Sequence, residues 1–200
     1  MKLWSRFCRV LAIGLVIPGK ILRNLVARLL KPCFRSAGTK VRFSPFDRFD
    51  FHEIDIGDDV FIASGAWFAG RKIRIGSHVM FGPRVMIQAG AHQFRGTDGW
   101  MSGQPEVDRE KVKGVIIEDN VWIAANVTLI DGAFVGEGSV IGAGSLVSGV
   151  IPPNSIAVGV PARVIRPRLD ELGLEEYSLP IKVGWEGISV QLPLPPIRRP

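Results

Sequence analysis

The chain has 200 residues, 46% of them hydrophobic and 22% charged, so it can bury a sizeable core and wholesale disorder is excluded. Its net charge of +6 suits anionic small molecules or an anionic lipid surface, and no lysine-rich block or aromatic-basic signature marks a nucleic-acid binder. The 2 cysteines, Cys8 and Cys33, make no disulfide framework and no C-x-x-C pair, which suits a reducing cytosol.

The chain opens with its most hydrophobic long stretch, "MKLWSRFCRVLAIGLVIPGKILRNLVARLLKPCF". Arg6 and Arg9 interrupt the first half, and the uninterrupted run from Val10 to Ile17 is too short to span a bilayer. No small-residue cleavage site follows, so a signal peptide is not expected. Pro18-Gly19 breaks the stretch. Beyond it Ile21, Leu22, Leu25, Val26, Leu29 and Leu30 share one helical face, with Arg23, Asn24, Arg28 and Lys31 opposite. Residues 1–37 therefore read as a basic amphipathic helical segment. It either lies on a membrane surface through residues 3–31, at the inner face of the cytoplasmic membrane, or packs on protein.

From Ile56 onward a large apolar residue returns every sixth position: Ile56, Ile62, Phe68, then after one extra residue Ile75, Phe81 and Ile87. The rhythm resumes as Ile117, Ile123, Leu129, Val135, Ile141 and Val147. The next residue is tiny at Gly57, Ala63, Ala69, Gly76, Gly82, Ala124, Gly136 and Gly142. Four residues after each anchor lies mostly Val, Ala or Ser.

A period of six is neither helical nor simply alternating. It predicts a short strand and a tight turn, three of which close one triangular coil of about 18 residues. Large residues point into the prism and tiny ones permit the corner. Stacked coils lie at strand spacing, about 4.8 Å, so like residues sit on like. The predicted fold class is all-β, a parallel β-helix of hexapeptide repeats over residues 38–167, preceded by the α-helical N-terminal segment. The irregular "VRFSPFDRFDFHEIDIG" predicts one imperfect capping coil. Residues 168–200 lose the period and end proline-rich, as a tail.

The gap from Ile87 to Ile117 is far longer than one step, so residues 90–113 must leave the prism as an excursion. Long loops in compact repeats are often functional, and this one opens with His92 beside a rigid strand. The 3 histidines, His52, His78 and His92, show no metal-binding spacing, and no zinc site is expected. His52 reads as an ordinary residue of the cap. His78 lies at an outward corner, where it either lines a cleft or faces solvent. No P-loop and no G-x-S-x-G are present.

"DNVWI", "IGAGS" and "GVPARVI", with the repeats around them, resemble the hexapeptide-repeat acyltransferases, nearest the sugar O-acetyltransferases of the maltose, galactoside and nodulation-factor type and relatives acting on capsular or exopolysaccharide sugars. The resemblance covers about residues 54–167. It implies a left-handed winding, a homotrimer, and acetyl-CoA as co-substrate with no metal. It implies that His92, after the small Ala91, is the general base. It also implies that CoA runs in a groove between neighbouring prisms, at positions matching Trp122, Ala125, Ala143, Ser148, Arg163 and Arg166. Arginine suits the phosphates of CoA.

The acceptor side departs from the small-sugar enzymes. Their asparagine-rich stretch is replaced by "FIASGAWFAG", which leaves Ser64 as its polar side chain. Ser64, His78, Trp100 and Met101 are the candidate acceptor contacts. The expected activity is acetyl-CoA-dependent O-acetylation of a sugar hydroxyl in cell-envelope, exopolysaccharide or lipopolysaccharide biosynthesis, without a covalent enzyme intermediate. Asp98, Glu106 and Asp108 are candidates to orient the imidazole. An amino-sugar N-acetyltransferase, a γ-carbonic-anhydrase-like protein and a non-catalytic β-helix are the alternatives.

Overall fold

A computed structural model describes residues 22, 24–93, 100, 106–168, 181–182 and 189–190. Residues 24–30 are helical and lead through a 3-10 turn, Lys31–Cys33, into the first strand. Ala27 and Leu30 pack on the core, while Leu22, Leu25 and Leu29 stay exposed. Among the described residues no helix is long and apolar enough to cross a membrane.

The first, imperfect coil contains β1 (Ser36–Ala37), a bridge from Arg42 to Phe61 of the next coil, and β2 (Arg48–Phe49). The next holds β3 (Ile54–Ile56), β4 (Phe61–Ile62) and β5 (Trp67–Gly70), followed by β6 (Ile73–Ile75), β7 (Met80–Phe81) and β8 (Met86–Ala89). After the excursion come β9 (Val115–Ile117), β10 (Trp122–Ile123) and β11 (Thr128–Ile130), then β12 (Phe134–Val135), β13 (Val140–Ile141) and β14 (Leu146–Val147). A last coil has β15 (Val150–Ile151), β16 (Ser155–Val158) and β17 (Arg163–Pro167).

These strands form three walls. Wall A has the order β1-β3-β6-β9-β12-β15, wall B β17-β16-β13-β10-β7-β4, and wall C β14-β11-β8-β5-β2. All their pairings are parallel except β16 with β17, an antiparallel hairpin that finishes wall B. The result is a triangular parallel β-helix, as the six-residue rhythm predicts. The excursion does not interrupt the stacking, because Ile75 still pairs with Ile117 directly across it.

Every rhythmic anchor from Ile56 to Val147 is at most 3% exposed. The second inward position is also dry, as Val60, Val79, Val85, Val121 and Val127 show. Two buried serines take this place lower down, and both are satisfied. Ser139 Oγ donates to Pro152 O at 2.7 Å, and Ser145 Oγ donates to Gly142 O at 2.7 Å. The predicted cap is an aromatic plug. Phe34 packs edge-on against Phe43 and Phe51 at 5.3 and 4.8 Å, and the stack continues from Phe49 to Phe68 to Phe81 at 5.4 and 5.1 Å.

The extra residue between Phe68 and Ile75 is absorbed where wall C turns into wall A. Gly70 has φ +106, and a Cβ there would lie 1.9 Å from Ala89 O. Only glycine fits this corner, and the corner is the edge from which the excursion springs in the next coil.

Candidate active site

The excursion is closed at its base by pairing. His92 and Glu106 form an isolated antiparallel bridge, and Val107 N–H donates to Ala91 O at 2.8 Å. Lys72 Nζ reaches Val112 O at 2.7 Å, which fixes the returning arm to the corner. Arg71 Nη2 lies 3.0 Å from Glu106 Oε2. His92 thus follows the end of β8 by three residues and is fixed by its own bridge.

A cleft of about 450 Å³ opens there. Its floor is the end of wall C, with Trp67, Ala69 and Gly70 of β5 beside Gln88 and Ala89 of β8. One side is the cap coil, with Arg48, Asp50, His52 and Glu53. The other side is the excursion, with His92, Glu106, Val107 and Val112.

The acids of the cleft are each engaged. Asp50 Oδ2 accepts from Gly70 N–H at 2.8 Å, Glu53 pairs with Arg109 at 2.7 Å, and Glu106 pairs with Arg71. Among the described residues no carboxylate lies within ion-pair distance of the His92 ring. Asp108 turns to Lys111 at 2.6 Å, and that ammonium hydrogen bond holds its carboxyl below the ordinary aspartate range. Asp98 and Met101 lie outside the described residues. What the cleft can do chemically is hold a polyhydroxylated molecule against a partly exposed tryptophan, with a proton acceptor at its rim.

The other residues singled out in the sequence are spread over the prism. Ser148 lies at the wall C to wall A edge, as the cleft does, between β14 and β15. Ser64, Ala125 and Ala143 lie at the wall B to wall C edge, where Gly144 N–H donates to Ala125 O. Trp122 points outward from wall B, half exposed, in register with Met80. Arg163 and Arg166 lie on β17 with exposed side chains. His78 lies on the third edge and faces Asp59 Oδ2 at 3.4 Å, away from the cleft. Trp100 is 87% exposed and does not line the cleft. Within one chain, then, wall C separates His92 from Trp122, Ala125 and Ala143.

Sequence reasoning missed Arg48, His52, Trp67, Arg71 and Gln88. The signal for two of them was present. Arg48, Trp67 and Met86 occupy one outward column because β2, β5 and β8 pair in register, and each follows the last at the spacing of one coil plus one residue.

Residues 114–149 match the family model "Bacterial transferase hexapeptide (six repeats)". The Escherichia coli K12 protein named a lipopolysaccharide biosynthesis O-acetyl transferase is 31% identical over 149 residues, 72% of this chain and 74% of that protein. A maltose O-acetyltransferase structure from Clostridium difficile 630 is 31% identical with a TM-score of 0.60, covering 78% of this chain and 89% of that one. A hexapeptide-repeat acetyltransferase from Vibrio cholerae, solved with acetyl coenzyme A, is 28% identical with a TM-score of 0.59, covering 76% of this chain and 89% of that one. The chain belongs to the hexapeptide-repeat acetyltransferase family. It spans about half the length of some curated relatives it matches, 48% of the Lactococcus lactis galactoside O-acetyltransferase for example.

Proposed function

We propose that the protein transfers an acetyl group from acetyl-CoA to a sugar hydroxyl during assembly of a cell-envelope polysaccharide or lipopolysaccharide. The observation that carries this reading is His92, held by a backbone bridge at the rim of a cleft on a hexapeptide prism. Relatives named for O-acetylation and a neighbour solved with acetyl coenzyme A support it.

A sugar hydroxyl is a weak nucleophile. The neutral imidazole of His92 removes its proton as the oxygen attacks the thioester carbonyl. The tetrahedral intermediate collapses, the C–S bond breaks, and the proton passes to the departing CoA thiolate. Atoms and charge balance with no covalent enzyme intermediate, and holding both substrates in one groove supplies the orientation term.

The separation of His92 from Trp122, Ala125 and Ala143 by wall C favours a site shared between chains. In a homotrimer the edge carrying Ala125 and Ala143 of one prism would face the His92 edge of the next. Ser148 would help complete that CoA groove, with Arg163 and Arg166 on its phosphates. The exposed row Leu22, Leu25 and Leu29, with Arg28 alongside, favours a seat on an anionic membrane surface.

The acid nearest His92 in the pairing, Glu106, is held by Arg71 and is not free to bind an ammonium group, which favours a hydroxyl acceptor over an amine. The test is acetyl-CoA turnover against nucleotide-linked, lipid-linked and free sugars, each paired with its amino-sugar counterpart. Hydroxyl acceptors should be acetylated. Exclusive turnover of amines would replace this reading with N-acetylation.

A further inference from the structure

The cleft contains one cation that the acetyl transfer itself does not use. Arg48 projects from β2 on the outward face of wall C, directly in register with Trp67 on β5. Its guanidinium carbon lies 4.9 Å from the centroid of the Trp67 ring. A guanidinium held over an aromatic ring keeps N–H donors available at its rim, and their fork matches a phosphate or carboxylate.

The neighbouring charges are already committed. Arg71 is taken by Glu106, Glu53 by Arg109, and Asp50 by the Gly70 N–H. Among the described residues no carboxylate pairs with Arg48. The cleft therefore presents a propped cation on its cap side, with His92 on its excursion side and the polar Gln88 on the floor.

We infer that the acceptor is an anionic sugar, in which a phosphate or carboxylate binds the Arg48 fork while a hydroxyl of the same molecule faces His92. This rests on the reading of the cleft as the acceptor site. Trp67 acts as a positioning residue that holds the guanidinium at the cleft. Sugar 1-phosphates, nucleotide-linked and lipid-linked sugar diphosphates, and uronic acids share the required chemistry.

The experiment pairs each neutral sugar with its 1-phosphate, its nucleoside diphosphate form and its uronic acid, and measures kcat/KM for the wild type, Arg48→Ala and Arg48→Lys. The wild type should favour an anionic member by about tenfold or more, as one charge-assisted bidentate contact allows. Arg48→Ala should bring that ratio toward one, and Arg48→Lys should restore only part of it, because lysine keeps the charge but loses the fork. The KM for acetyl-CoA should not follow the ratio. Which anionic member is preferred identifies the source of the charge.

Binding of the same sugar phosphates by calorimetry, in the inactive His92→Ala background, separates the two readings. Binding that Arg48→Ala abolishes, without turnover of any sugar in the wild type, would sink the transferase reading and keep the anion site. Equal turnover of neutral and anionic sugars, with a ratio that Arg48→Ala leaves unmoved, would overturn the anion site and keep the transferase.

Discussion

His92 and Glu106 face each other as the two halves of an isolated antiparallel bridge, at the point where the excursion leaves and rejoins the prism. Arg71, on the corner one coil earlier, holds the Glu106 side of that bridge at 3.0 Å. The arrangement links the backbone of His92, through Glu106, to a salt bridge that does not touch the imidazole.

Arg71→Ala should therefore lower kcat by about tenfold, since small misplacements of a catalytic group are costly. An ion pair this exposed contributes only about 0–1 kcal/mol, so the unfolding midpoint should barely move. Steady-state kinetics beside thermal unfolding checks both. A mutant with wild-type kcat would show that the tether does not position the base.

Phe68 is fully buried between Phe49 and Phe81 on the prism axis. Phe68→Ala removes the middle ring of the stack and leaves a cavity that strand-paired walls cannot close. The expected loss is about 3–5 kcal/mol, read from urea unfolding. A loss below about 1 kcal/mol would mean the aromatic plug is not part of the cooperative core.

The pH dependence of stability should carry the mark of Asp55. It accepts hydrogen bonds from Arg35 and from Ser36 Oγ, and the guanidinium bond holds its carboxyl below the ordinary range against the opposing effect of burial. A folded pKa below the unfolded one favours the ionised form in the fold. That contribution is present above about pH 4, the unfolded range, and is lost as pH falls through the folded value. Glu118 has the opposite sign, because burial raises its carboxyl and makes ionisation in the fold costly. Asp55→Asn should lower stability at neutral pH and flatten the acid limb. Unfolding curves at pH 3 and pH 7 that shift in parallel would contradict this.

The exposed leucines of the N-terminal helix give a separate test. Leu25 and Leu29 are 53% and 69% exposed, and Arg28 lies between them in the chain. The full chain should co-sediment with vesicles containing phosphatidylglycerol, less so at high salt. Leu25→Asp with Leu29→Asp should abolish that binding. Undiminished binding by this double variant would move the membrane contact elsewhere.

The prism was legible in the sequence because each anchor reports its own environment: an inward residue must be apolar whatever its neighbours are. His92 stood out for a related reason, as the residue where the rhythm stops. The cleft was less legible, because its walls come from three separate coils. Trp67 and Arg48 meet only through strand pairing across a coil that is one residue longer than 18, the extra residue lying between Phe49 and Ile56. His52 read as part of the cap, and only the fold turns that coil toward the excursion. Trp122, Ala125 and Ala143, which the family resemblance links to CoA, lie on wall B or its edge with wall C and do not meet His92 within one prism. Their relation to His92 was not legible, because intervals along the chain do not show which wall or edge a residue occupies.

The role proposed for His92 is tested by the acetyl-CoA kinetics of His92→Ala, with CoA affinity measured in parallel by calorimetry. With His92 as the general base, kcat should fall by about 10²–10⁴ while CoA binds as tightly as to the wild type. Wild-type kcat in this variant would remove the base from the mechanism and contradict the assignment.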